Sequence, residues 1–292
     1  MTTMASENAP EPEYTLYVYY TRYSSWGVRA QLILEYFAIP YKVEYFNYTI
    51  PSLTPPADLR VLPVLDVTPA PTGAATITAS SSTTPSASGG EATLRIPDSL
   101  AIAEYLASEH PSLPLWPADP QLRALARVAA CTMHSGFLTL RNTYSTNFLA
   151  RFSGSGLKTL YNNTEGVTSE LAQLFALWER TRVATVRRLG ELGVADEGFL
   201  CGGFSIADAF FWPVLWRLRS YDLPLTGLTD EGRRWMATMW NDPVMKAQAK
   251  EYFRQARDPK SCFKSYDDMF EGNPDISYGT FSEDWVFDGP GV

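Results

Sequence analysis

The chain has 292 residues, 45% hydrophobic, 19% charged and 13% aromatic, which is enough for one large or two ordinary domains with a substantial core. Its formal charge of −8 argues against nucleic acid or an anionic membrane as main partner, yet leaves room for a locally basic pocket. Three widely spaced cysteines (Cys131, Cys201 and Cys262) without a C-x-x-C pair speak against a disulfide framework or a zinc site and suit a reducing compartment. No signal pattern opens the sequence, and the most apolar run, Phe210 to Trp216, is too short to span a bilayer. A cytoplasmic protein with no metal is expected.

In chain order, Tyr14 to Tyr20 reads as a strand and Ser25 to Phe37 as a helix, with Val28, Leu32, Ile33, Tyr36 and Phe37 at helical spacing. Tyr41 to Tyr45 is a second strand, parallel to the first across so short a crossover. VLPVLDV (Val61 to Val67) is β-rich, and its proline marks an edge, a turn or a cis bond. Residues 68–92 form a Ser/Thr/Ala/Gly/Pro tract with too little apolar surface to order itself, so a surface insertion is expected there. ATLRI then reads as a strand forming a hairpin with VLPVLDV, and Asp98 to Glu109 as a helix. Together, residues 14–111 predict a small α/β domain of βαβββα order.

Pro111, Pro114, Pro117 and Pro120 punctuate a linker, after which the pattern becomes helical. Helices are predicted over 121–151, 168–192, 206–221, 230–239 and 243–257, an all-α domain spanning residues 117–257. The extension 258–292 mixes acid, aromatics and Gly/Pro. Largely irregular backbone is expected there, laid as a strap across an existing surface with aromatics inward.

One local feature asks for chemistry: two serines, Ser24 and Ser25, at the start of the first helix. A hydroxyl there either caps the helix or faces whatever binds its N-terminus.

The order of these pieces resembles the cytosolic glutathione transferase family. YSSWGVRAQLIL (Tyr23 to Leu34) is similar to the serine-containing first βα turn, close to the S-S-W-S-x-R form of the zeta-like branch. VLPVL (Val61 to Leu65) resembles the strand entered through a cis-proline, and PDSLAIAEYL (Pro97 to Leu106) the family's E-S-x-A-I-x-x-Y-L segment. MHSGFLTLRN (Met133 to Asn142) and GFSIADAFFWPVLWRLRSYDLPL (Gly203 to Leu225) resemble the helical domain of that branch, the latter opening on the capping box Ser205 to Asp208.

The resemblance implies a thioredoxin-like domain joined to an all-α domain, with glutathione as co-substrate. It also implies a homodimer. Ser25 or Ser24 would donate to the glutathione sulfur. Lowering a thiol pKa from about 8.5 to about 6.5 needs roughly 2.7 kcal/mol, which a charged hydrogen bond and a helix N-terminus can supply. Leu62, ahead of Pro63, would pair its backbone with the peptide of glutathione. Asp98 and Ser99 would meet the γ-glutamyl group, although relatives carry Glu where Asp98 stands. Arg60 would replace the Lys or Gln that relatives place at the Val61 position. His134 and Arg141, seven apart on the predicted long helix, would lie on one face toward the electrophile, with Tyr144, Phe148 and Trp212 as pocket wall. The reaction would be attack of the thiolate on a small apolar electrophile, with two alternatives: reversible addition that isomerises a maleylacetoacetate-type double bond, or a non-catalytic binding or regulatory role.

Overall fold

The computed structural model of the chain describes residues 12–69 and 93–287. The first half is a four-stranded mixed sheet with two helices: β1 (Glu13–Tyr19), α1 (Ser25–Tyr36), β2 (Lys42–Phe46), β3 (Val64–Thr68), β4 (Leu94–Pro97) and α2 (Ser99–Glu109). Strand order is β2-β1-β3-β4. β1 runs parallel to β2, with Leu16 beside Val43, and antiparallel to β3, with Leu16 beside Leu65. β3 and β4 form an antiparallel pair with Leu65 beside Ile96. The period-2 residues Leu16, Val18, Leu65 and Val67 are buried with Val28, Leu32, Ile102 and Leu106 of the two helices. Of the tract read as an insertion, Thr68 belongs to β3 and residues 70–92 lie outside the described residues.

The second half is helical: α3 (Pro120–Ser135), α4 (Leu138–Thr143), α5 (Ser155–Asn163), α6 (Val167–Leu192), α7 (Ile206–Ser220), α8 (Asp230–Asn241) and α9 (Pro243–Ala256). α7 is buried on nearly every face and packs against α1 and α3, so it joins the sheet-bearing half to the helical half. Its start is fixed by Asp208, whose carboxylate accepts from Ser205 N and Oγ, Leu200 N and Trp235 Nε1. Burial raises the Asp208 pKa. Tyr36 of α1 stacks on Phe204, just ahead of α7, at 3.6 Å.

The single helix expected over 121–151 is corrected. α3 stops at Gly136, where a Cβ would come within 2.6 Å of the Thr132 carbonyl oxygen, and Phe137 follows in left-handed backbone at φ 56°. Only glycine tolerates that approach, so the apolar stripe continues while the helix does not. After α4 the chain turns extended, and Ala150–Ser153 forms β5, alternating buried and exposed.

Partly irregular as expected, the extension also holds a short helix α10 (Lys264–Asp267) and a strand β6 (Ser277–Thr280). β6 pairs antiparallel with β5, Phe152 lying opposite Tyr278. Asn47 Nδ2 of the sheet half donates to the Lys260 and Cys262 carbonyls at 2.8 and 3.0 Å. Residues after α9 are thus bonded to both halves.

Candidate functional site

The turn between β1 and α1 is held from behind. Thr146 Oγ1 donates to the Tyr23 carbonyl at 2.7 Å, the Phe148 amide to the Arg22 carbonyl at 2.9 Å, and Arg22 to Ser261 Oγ at 3.3 Å. Ser24 is the N-cap of α1, its Oγ accepting from the Gly27 amide at 3.2 Å. Gly27 is needed for this: a Cβ there would lie 2.9 Å from Val18 and 3.1 Å from Ser24 Oγ. Ser25, the first helical residue, makes no side-chain hydrogen bond among the described residues.

Both serines line a cavity of about 290 Å³ with Leu62, Trp26, Arg141 and Arg217. That volume is near the lower end of small-ligand sites. The Leu62–Pro63 peptide on its wall is cis. Tyr19, Tyr23, Tyr48, Ser145, Thr146, Phe263 and Tyr266 complete the lining. Phe263 is buried edge-on against Tyr23 at 5.2 Å and Tyr19 at 6.2 Å, so the extension contributes one wall. The Tyr23 hydroxyl donates to Asp267 at 3.2 Å, and burial pushes its pKa far up. That hydroxyl is already committed, and the serines are the free donors at the helix start.

Three guanidinium groups surround the same helix end, and none forms an ion pair among the described residues. Arg29 is fully buried between Trp26 and Phe210, at 4.7 and 4.9 Å, with all three nitrogens unpartnered. Arg141 lies over Trp26 at 4.3 Å and donates to the carbonyls of His134 and Gly136. Arg217, buried on α7, donates to the carbonyls of Tyr144 and Pro213. Burial lowers the pKa of all three, that of Arg217 to about 10, with Arg141 adding repulsion at Arg29 and Arg217. The cavity therefore carries a positive potential that the chain's own acids leave largely unanswered, which favours an anion.

Other predicted residues fall elsewhere. Asp98, at φ 79°, caps α2 by accepting from the Leu100 and Ala101 amides, and its Oδ2 lies 3.3 Å from His134 Nε2. Burial lowers the His134 pKa. His134 also meets the Trp26 ring edge-on at 5.3 Å, so this pair backs the cavity through Trp26 without lining it. Since α3 and α4 are separate helices, His134 and Arg141 do not share a helix face. They meet instead because Arg141 caps the end of α3. Ser99, the first residue of α2, has a buried hydroxyl without a partner among the described residues and does not line the serine cavity. Arg60 is turned onto the Ala57 carbonyl of an exposed turn. Tyr144, Phe148 and Trp212 are core, not pocket wall. Phe148 packs on Trp216 and Tyr252, and Trp212 on Trp216 and Trp240.

Sequence reasoning missed Arg217, and it had Phe263 and Tyr266 only as aromatics of the strap, not as lining of this cavity. Arg217 had a signal: a cation inside the apolar run FFWPVLWRLRS is rarely buried without a purpose. Among the described residues no three His, Cys, Asp or Glu side chains gather as a metal site would need.

Residues 163–237 match the family model "Glutathione S-transferase, C-terminal domain". A probable maleylacetoacetate isomerase of Caenorhabditis elegans is 26% identical over 213 residues, covering 72% of this chain and 81% of its own. Among solved structures, a glutathione transferase homologue from Burkholderia with bound glutathione superposes with a TM-score of 0.50 at 20% identity, over 85% of this chain and 99% of that one. The maleylacetoacetate isomerase of Anaeromyxobacter dehalogenans with bound glutathione gives 0.51 at 20% identity, over 82% and 95%. Ure2p in complex with S-p-nitrobenzylglutathione gives 0.55 at 15%, over 86% and 98%. The four-stranded sheet half and the helical half thus have the fold of these structures, and residues 163–237 carry the glutathione S-transferase C-terminal domain.

Proposed function

We propose that the chain is a glutathione transferase whose Ser25, assisted by Ser24, donates to the thiolate of glutathione. The observation that carries this is the cavity in which an uncommitted serine at a helix N-terminus, Leu62 ahead of a cis-proline and two unpaired arginines come together. The helix end contributes about 0.3–2 kcal/mol toward the anion. A hydroxyl bond to charged sulfur contributes about 1.5–3 kcal/mol, so the roughly 2.7 kcal/mol required is within reach. The sheet-bearing half to about residue 111 then holds glutathione, and the helical half 117–257 and the extension hold the electrophile.

The thiolate forms a bond to an electrophilic carbon. In conjugation a leaving group departs or a proton is taken up. In isomerisation the adduct rotates about the former double bond and expels the thiolate again. Arg141 and Arg217 favour the second reading for one reason: a maleylacetoacetate-type substrate brings carboxylates to a cavity with unanswered positive charge. We extend the proposal to a homodimer in the cytoplasm, a compartment that keeps the three free cysteines reduced.

The test is the ultraviolet absorbance of bound glutathione thiolate titrated against pH, with turnover of a carboxylate-bearing and a neutral electrophile. The bound thiol should titrate about two units below its free value, and Ser25→Ala should recover one to two of those units. Tight glutathione binding with an unshifted thiol and no turnover of either electrophile would mean a non-catalytic binding protein.

A further inference from the structure

The hydroxyls of Tyr19, Tyr48 and Tyr266, residues that all line the serine cavity, make no hydrogen bond among the described residues. Their rings pack on Phe263 at centroid distances of 6.2, 5.0 and 6.0 Å. Phenylalanine would pack there as well, so the apolar contacts explain the rings and leave the three hydroxyls without a structural use. A phenol O–H is a hydrogen-bond donor, and the guanidinium of Arg217 belongs to the same lining. Such a set favours an oxygen that carries negative charge.

Tyr266 is the best placed of the three. It lies on α10, and the next residue, Asp267, accepts from the Tyr23 hydroxyl at 3.2 Å and from Asn147 Nδ2 at 2.7 Å. The Tyr266 ring itself lies 5.3 Å from that of Tyr23, the residue before Ser24. α10 is therefore fixed to the serine turn, across a cavity of only about 290 Å³. Arg217 bears on the Tyr266 hydroxyl and not on that of Tyr19. Burial and then Tyr48 raise the Tyr266 pKa, with Arg217 opposing, so the phenol keeps its proton at neutral pH and can donate it. Tyr48 is 49% exposed, and a hydroxyl already in water gains little from a further acceptor.

We propose, resting on the transferase reading of this cavity, that Tyr266 is a catalytic residue on the electrophile side, donating with Arg217 to the carbonyl oxygen of an α,β-unsaturated ketone or acid. When the glutathione thiolate adds to the β-carbon, the carbon–sulfur bond forms and the π pair moves onto that oxygen as an enolate. The Tyr266 O–H and Arg217 then meet charge that the free substrate does not carry, so they lower the barrier more than they strengthen binding. In conjugation the α-carbon takes a proton from water and the carbonyl re-forms. In isomerisation the pair returns, the carbon–sulfur bond breaks and the thiolate leaves. Displacement of a halide places the charge on the departing ion and makes no such oxyanion.

Tyr266→Phe removes one atom that bonds to nothing among the described residues, so the fold should persist, as checked by circular dichroism. Steady-state rates with benzylideneacetone and with p-nitrobenzyl chloride, at saturating glutathione, test the role. In Tyr266→Phe the ratio of kcat for the enone to kcat for the halide should fall about 10- to 100-fold, less than the loss of a lone oxyanion donor because Arg217 remains. KM for the enone should change less than kcat. The pKa of the bound thiol, read by ultraviolet absorbance in the same samples, reports the nucleophile alone. An unmoved ratio, an equal fall in Tyr48→Phe, or a fall that tracks a raised thiol pKa would overturn the role of Tyr266. So would a wild type that shifts the thiol and turns over the halide only. A wild type with an unshifted thiol and no turnover of either electrophile would remove the transferase reading itself, and the role of Tyr266 with it.

Discussion

Arg29 has three unpartnered nitrogens and no exposed surface, so its charge contributes nothing favourable through contacts beyond two ring faces. Under the proposed function it acts at a distance, as part of the field at the start of α1. Replacing such a residue with an apolar one of similar volume removes a desolvation penalty along with the charge. Arg29→Met should therefore leave the thermal midpoint unchanged or raised, while the pKa of bound glutathione thiol rises. A large loss of stability measured by calorimetry would show that Arg29 holds the fold instead. His134 offers a second handle. Burial holds its pKa below the ordinary value, against the pull of Asp98 on α2 and with Arg29 on α1 and Arg141 on α4 adding repulsion. A base depressed in the folded state gives stability that is present above its unfolded pKa of about 6.5 and is lost as pH falls through the folded value. The thermal midpoint should drop on acidification from pH 7 toward about pH 5, and His134→Gln should flatten that drop. An unchanged slope in the variant would remove His134 as its source.

Among the elements, the start of α7 is where local sequence and tertiary structure agree most closely. Ser205 and Asp208 form the expected cap, but the carboxylate also takes the Leu200 amide and the Trp235 indole, tying α8 and the preceding loop to the same point. Asp208→Ala would strand four buried donors at once. A loss of about 3–5 kcal/mol is expected, read as a fall in the denaturant midpoint. The sheet and most helices were legible because each carries its own period: Leu16 and Val18 alternate, and Leu122, Ala126 and Ala129 of α3 recur on one stripe. What was not legible is where a stripe outlives its helix. Leu140 continues the apolar pattern of α3 across Gly136, yet the backbone has already turned at Phe137. β5 and β6 were invisible for a related reason: each is four residues long, and each is defined by a partner far along the chain, Ala150 lying beside Thr280 and Ser153 beside Ser277. Of the candidate site, the serine turn and Leu62 could be read locally. Arg217, Phe263 and Tyr266 could not be placed there, because their proximity depends on how α7 and the extension fold back.

At the scale of the whole molecule, residues after α9 act as a clasp. They bond to the sheet half through Asn47, to the β1–α1 turn through Arg22 and Tyr23, and to the helical half through β5 and the Leu149 carbonyl. Phe263 is 1% exposed, and burying a phenylalanine that fully in contact with four tyrosines is worth about 3–5 kcal/mol on truncation to alanine. The same ring lines the serine cavity, so stability and activity are coupled through it. Two measurements separate them. Phe263→Leu keeps most of the apolar volume and should cost less than about 1.5 kcal/mol, while raising KM for an aromatic electrophile and leaving glutathione affinity unchanged. Truncation after Arg257 removes the clasp altogether. Because its bonds reach both halves, the truncated chain should lose several kcal/mol, and its single unfolding transition should split into two when followed by tryptophan fluorescence and by far-ultraviolet dichroism. Trp178, Trp212, Trp216, Trp235 and Trp240 all lie in the helical half, so fluorescence reports mainly on that half, whereas dichroism sums both. Coincident transitions with an unchanged midpoint would mean that the extension merely rests on the surface, and Phe263 would then have to be removed from the site as well.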